Sequence, residues 1–170
     1  LTEDAVEGYN TNAKMNPPLR TKVDVEALQQ GLKDGTIDLL VTDHAPHHYD
    51  EKEREFADAP NGIVGLETAL GVNITYLVET GILSLQDLVL RMSCLPAKIW
   101  HLPGGTLQPG SIADVTVFDP KRQWVVDPTK FKSKGRNTPY GGHSLTGLAI
   151  CTIVGGKIVH QLSRPPIRIR

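Results

Sequence analysis

The chain is 170 residues long, 39% apolar and 22% charged, with a formal net charge of −1. That length allows one average domain or two small ones. The balanced charge argues against non-specific binding to nucleic acid or a membrane surface, and no apolar run approaches the roughly 20 residues a membrane helix needs.

The chain opens Leu-Thr-Glu-Asp rather than on Met, so a piece of something longer is expected. No basic-then-apolar stretch marks a signal peptide. Residues 1–14 are polar and aperiodic, and Asn10-Thr11-Asn12 reads as loop. In Met15-Asn16-Pro17-Pro18-Leu19-Arg20, two prolines fix φ, remove two donors and keep Asn16 out of the helical region. Asn16 is then a side chain presented from a stiff, extended backbone. Asp24 can cap a helix whose Val25, Leu28 and Leu32 share a face, with Gly35 just past its end.

Residues 37–42 are mostly apolar and predict a strand covered on both faces. An extended segment, a helix and a buried strand suggest a βαβ unit and a parallel sheet. The strand runs into Thr42-Asp43-His44-Ala45-Pro46-His47-His48, one carboxylate and three imidazoles within six residues. α/β barrels keep their chemistry in loops at the strand ends. The histidines lack a second ligand cluster, so a metal site of their own is not expected. His48 should face solvent, and His44 should orient its neighbours.

Residues 49–56 are charged and suggest a mobile loop over the open face. Ala59-Pro60-Asn61-Gly62-Ile63 is a tight turn, in which Gly62 can take positive φ or let a ligand near the backbone. Leu66, Leu70, Ile74, Leu77 and Val78 mark an amphipathic helix ended by Gly81. Ser84 caps another, with Asp87 at the capping-box position and Leu85, Leu88, Val89 and Met92 inward. Pro96 is expected to interrupt it before a last short helical turn over 97–102.

Beyond residue 102 the texture changes. Residues 104–110 read as a linker, and 112–118 alternate polar and apolar. Residues 148–154, Gly155-Gly156 and 157–161 read as a β-hairpin with a two-residue turn. Two parts are therefore expected, 1–102 and 103–170, the second a small β domain with a solvated tail over 164–170. Trp100 and Trp124 are read as packing residues. His101, His143 and His160 match no chemistry. Cys94 and Cys151 lie far apart, in helical and strand-like contexts, which suits a reduced, cytoplasmic interior.

Taken as an ordered set, these segments resemble the dihydroorotase family. The resemblance rests on Asn16-Pro17-Pro18-Leu19-Arg20, Thr42-Asp43-His44-Ala45-Pro46-His47, Glu51-Lys52 and Ala59-Pro60-x-Gly62-Ile63-x-Gly65-Leu66-Glu67-Thr68. Further along it rests on Pro96-Ala97, Gly110-x-x-Ala113-Asp114, Ser133-Lys134-x-x-Asn137-Thr138-Pro139 and Val154-x-Gly156-Lys157. It implies an α/β fold: the carboxy-terminal part of a TIM-like (β/α)8 metal-dependent hydrolase barrel, plus part of a small β domain. It implies reversible closure of N-carbamoyl-L-aspartate to L-dihydroorotate, in pyrimidine synthesis. Asp43 then matches the metal-touching catalytic carboxylate. Asn16, His47, Asn61 and Gly62 match substrate-binding positions. Ser133, Lys134 and Asn137 match a motif for which a structural role in the β domain is expected.

The resemblance also implies one or two Zn2+ ions, whose other ligands lie upstream of Leu1. No His-x-His occurs in these 170 residues, and one carboxylate cannot hold zinc in the usual three- or four-ligand site. The chain alone is therefore expected to be inactive. The substrate is a small molecule, and a second copy or an aspartate transcarbamoylase is the expected partner. Two alternatives stand beside this reading. One is a non-catalytic dihydroorotase-like subunit that binds a transcarbamoylase. The other is a related cyclic amidohydrolase, a dihydropyrimidinase or allantoinase.

Overall fold

A computed structural model of the chain describes residues 1–162; the expected solvated tail lies outside them. The opening residues are more ordered than their composition suggests. Two 3-10 turns, Glu3–Tyr9 and Thr11–Ala13, lead to the fully buried Ala13. Residues 15–20 then run without regular structure, with a cis Asn16–Pro17 peptide.

Helix α1 (Lys22–Asp34) starts at Thr21, three residues earlier than the expected Asp24 cap. Asp24 instead closes a capping box. Its carboxylate accepts from the Thr21 amide at 3.1 Å and hydroxyl at 2.6 Å, while its own amide donates to Thr21 Oγ1. An acid at the third helical position reaches back in this way, so the hydroxyl residue is the cap. Gly35, at φ 85°, stops the helix as expected. The expected face buries only Leu32, and Leu28 is 59% exposed, because packing reaches only the end of α1. There Leu32 joins Leu77 and Leu83, flanked by Ile37, Leu40 and Ile82.

Residues 37–42 are extended, but they form no strand ladder, and Val41 is 72% exposed rather than covered on both faces. Among the described residues no strand lies beside this segment, so no parallel sheet forms; a ladder needs a partner backbone. Arg91 holds the segment instead. Its guanidinium donates to the carbonyls of Ile37 and Leu32, and its own carbonyl accepts from the Leu40 amide at 3.3 Å.

The expected mobile loop over 49–56 is anchored. Tyr49–Lys52 forms a short helix, α2, capped by His48, and Lys52 is buried. The next helix begins at α3 (Ala69–Asn73), leaving Leu66 exposed ahead of it. It passes into a π turn, Ile74–Val78, and stops at Gly81 with φ 73°. Ser84 and Asp87 form the expected box at the start of α4 (Leu85–Val89). Leu88 is buried and Val89 is exposed.

Pro96 does not interrupt the helical path. A π turn, Leu90–Cys94, carries the chain into α5 (Leu95–Ile99), where Pro96 lies in the first turn. The Leu95 amide donates five residues back, to Leu90. That spacing places the proline, which lacks an N–H, where no donor is needed. Trp100 is 54% exposed and packs less than expected.

The β part is one antiparallel sheet in the order β1 (Val115–Val125), β2 (Ser144–Val154), β3 (Lys157–Gln161). The β2–β3 hairpin turns through Gly155 and Gly156 at φ 55° and 77°, the positive pair of a type I′ turn. β1 outruns its alternating pattern because a register irregularity between Asp119 and Gln123 absorbs Pro120. The sheet rests on the helices. Trp124 and Leu145 close over Gly71, Ile74 presses on Gly147, and the Trp124 indole donates to the Gly147 carbonyl at 2.9 Å. Val64, Val126, Phe131 and Leu145 form the core there.

Candidate active site

Asp43 ends the extended segment at φ 40°, in the left-handed region, with its residue exposed. A non-glycine residue held there is strained, and such strain clusters where a side chain must be aimed. His44 orients its surroundings as expected. Its Nδ1 accepts from the amides of Gly65 at 3.1 Å and Leu66 at 3.4 Å, and its Nε2 lies 3.4 Å from Ser133 Oγ. Ser133 therefore reaches out of the β part.

His47, Asn61 and Gly62 come together. His47 Nε2 lies 2.9 Å from the Asn61 carbonyl, so this nitrogen carries the hydrogen. Its Nδ1 lies 3.4 Å from the Glu51 carboxylate. Gly62 sits at φ 125°, and a Cβ there would fall 2.6 Å from Ala45 Cβ and 3.2 Å from His47 Nε2. Only glycine lets the two loops approach so closely. His48 is exposed, its Nδ1 accepting from the Asp50 amide at 3.3 Å.

Asn16 is exposed, and among the described residues neither its side chain nor that of Asp43 makes a hydrogen bond. Asn16 is nonetheless tied to the site, because the Lys14 carbonyl accepts from the Gly62 amide at 3.0 Å. A cleft of about 400 Å³ opens beside His47, between Tyr9, Tyr49, Arg54 and Arg136.

Three residues that build this site were not assigned to it from sequence. Lys14 Nζ donates to the carbonyls of Phe56, Ala57 and Ala59 at 2.5, 3.0 and 2.6 Å. Lys52 Nζ donates to Pro60 at 2.8 Å and Gly62 at 3.2 Å. Two ammoniums thus hold the carbonyls of one loop. Burial, then the charge of Lys14, pushes the Lys52 amine below its ordinary value. The third is Asn137, expected to serve the β domain but bonded to the loops of His47 and Gly62. Lys14 carries no sequence signal; Lys52 and Asn137 stand in motifs whose partners only the fold reveals.

Among the described residues no three His, Cys, Asp or Glu side chains group to hold a metal ion. Both nitrogens of His44 are engaged, and Asp43 stands as a single carboxylate. These residues do not fit a zinc ion by themselves.

Residues 9–159 match the amidohydrolase family profile, and the chain belongs to that family of hydrolases. Its curated relatives narrow the likeness. It is 59% identical to a dihydroorotase of Geobacter metallireducens over 161 residues, 95% of this chain and 38% of that protein. It is 55% identical to a dihydroorotase of Trichlorobacter lovleyi over 94% of this chain and 37% of that protein. Among solved structures, the L-hydantoinase (dihydropyrimidinase) of Arthrobacter aurescens superposes at TM-score 0.89 with 35% identity, covering 96% of this chain and 38% of that one. The dihydropyrimidinase of Brevibacillus agri superposes at 0.86 with 26% identity, covering 95% and 37%. The fold is thus α/β, part of a TIM-like hydrolase barrel with a small antiparallel sheet. The chain spans less than two fifths of the length of these proteins.

Proposed function

We propose that these residues belong to a dihydroorotase, an enzyme that interconverts N-carbamoyl-L-aspartate and L-dihydroorotate in pyrimidine synthesis. The observation that carries this reading is 59% identity to a dihydroorotase across 95% of the chain. Asp43 is the acid–base residue. In ring opening, water attacks the amide carbon, the C–O bond forms and the C–N bond breaks. Asp43 takes the proton from water on a carboxylate oxygen and returns it to the departing nitrogen; ring closure runs the same steps backwards.

Asn16 offers an amide to the carboxylate and amide groups of the substrate, and the His47 imidazole turns the N–H it shares with the Asn61 carbonyl to the same groups on binding. The Asn61–Gly62 backbone lies against the ring, because Gly62 leaves that face without a side chain. The enzyme works with one or two Zn2+ ions, to which Asp43 adds one ligand and residues outside this chain the others. Bound zinc would lower the pKa of water to about 7. The chain divides near residue 103 into a barrel part and a small β part. The setting is cytoplasmic, and a second copy or an aspartate transcarbamoylase is the partner.

A related cyclic amidohydrolase is the second reading, favoured by the hydantoinases among the solved structures. Assaying the complete protein on dihydroorotate, hydantoin and allantoin separates the two. Turnover of dihydroorotate alone is expected, and preference for hydantoin would overturn the assignment. Asp43→Ala is expected to cut kcat by about 10²–10⁴-fold, the usual weight of a general acid–base residue. His47→Ala should raise KM far more than it lowers kcat. Near-normal turnover in the first, or an unchanged KM in the second, would refute the role given.

A further inference from the structure

We infer that Asn137 is a positioning residue, which sets the gap between the His47 imidazole and the Asn61–Gly62 backbone and so tunes substrate affinity. The inference rests on the reading of that site given above.

Asn137 is only 4% exposed, and both ends of its amide are bonded. Oδ1 accepts from the His47 amide at 3.0 Å. Nδ2 donates to the Ala45 carbonyl at 2.9 Å and to the Gly62 carbonyl at 3.0 Å. One side chain thus bonds both loops, spending its two donor hydrogens and one acceptor site. The Asn137 carbonyl adds a third point, accepting from the Val64 amide at 2.9 Å. Two residues earlier, Gly135 presses so closely on Pro46 that a Cβ would lie 2.6 Å from Pro46 Cβ. The segment therefore lies flat against the His47 loop and cannot lift without breaking these bonds.

No other residue type reproduces this set. Aspartate has the shape but lacks the donors, and would aim a carboxylate at two carbonyl oxygens. Alanine leaves the His47 amide and the Ala45 carbonyl without their partner, and the Gly62 carbonyl with Lys52 alone, at a cost in free energy. Besides Asn137, the Ala45 amide donates to the Ile63 carbonyl at 2.9 Å and His47 Nε2 lies 2.9 Å from the Asn61 carbonyl, while the Gly65 and Leu66 amides donate to His44. Without Asn137, the turn keeps its bonds to Lys14 and Lys52, but the His47 amide loses the bond that fixes its distance from that turn.

The test is a double-mutant cycle in the complete protein with dihydroorotate: Asn137→Asp, Asn137→Ala, His47→Ala and the doubles. Each Asn137 variant should raise KM about tenfold or more, as loss of one or two buried hydrogen bonds implies, with kcat nearly unchanged. In the His47→Ala background the same change should raise KM less than about twofold, since contacting residues couple. Additive effects, or a fall in kcat at constant KM, would overturn the inference. If Asn137→Ala does not fold, Asn137→Asp decides by the same cycle; if neither folds, the residue serves the fold and the inference fails. NMR of the histidine rings without substrate gives a readout apart from turnover. The His47 signals should move in Asn137→Asp while those of His101, His143 and His160 stay, and unmoved His47 signals would overturn the inference. If the parent protein leaves dihydroorotate untouched, the functional reading fails and the ring signals alone judge Asn137.

Discussion

At the scale of the residue, Asp43 combines a reactive group with an unfavourable backbone. L-residues pay roughly 1–2 kcal/mol in the left-handed region, aspartate less than most and glycine almost nothing. In the complete protein Asp43→Gly is therefore expected to be more stable than Asp43→Ala by about 1 kcal/mol, with kcat cut alike in both; chemical denaturation measures the difference. Equal stability would mean that the backbone there is relaxed. Tyr140 gives a second prediction. Burial, and then the neighbouring Tyr76, pushes its hydroxyl up from 10.0 to about 12. Between those values the unfolded chain has lost a proton that the fold retains, so stability falls as pH rises through that window. Tyr140→Phe should flatten the decline, which denaturation at about pH 8 and about pH 11 would show. The cluster of Asp43, His44 and His47 was legible as a cluster because it lies within one short motif. Asn137 and Lys14 were not, because they act on partners 75 to 92 and 42 to 45 residues away.

Elements were legible where the cause was local. The Ser84–Asp87 capping box, the Gly35 stop and the Gly155-Gly156 turn depend on residues within four positions of each other. Segment 37–42 failed as a strand because pairing depends on a second backbone, which no local pattern reports. The expected break at Pro96 failed for a different reason: the same apolar spacing fits i−4 and i−5 bonding alike, and a π turn carries the helix into the proline. The joint between helix and sheet can be tested at Gly147. It sits at φ 96°, and a Cβ there would meet Ile74 Cδ1 at 2.3 Å. Gly147→Ala is expected to cost about 1–3 kcal/mol by overpacking, and adding Ile74→Val, which removes Cδ1, should recover part of it. Full additivity of the two changes would show that the positive φ alone sets the cost.

For the molecule as a whole, apolar side chains stand in solvent at Val23, Leu28, Val41, Leu66, Leu107 and Val159. Scattered exposure is ordinary, but Val41 lies two residues before the proposed acid. The apolar run of 37–42 reads as one meant to be covered. Expressed by themselves, residues 1–170 are expected to carry far less than one zinc ion each and to leave dihydroorotate unchanged, as metal analysis and a turnover assay would report. Stoichiometric zinc in that sample would show that the chain's own side chains suffice.

The bond between Asn137 and the His47 amide spans 90 positions of sequence. A ribosome adding about 5–20 residues per second needs roughly 5–20 s to cover that interval. The imidazole is therefore made well before its clasp exists, and the His47 and Gly62 loops cannot be fastened together by Asn137 until the last fifth of these residues is reached. Stalling in that interval would leave the two loops in the charge of chaperones, with their backbone groups still facing water.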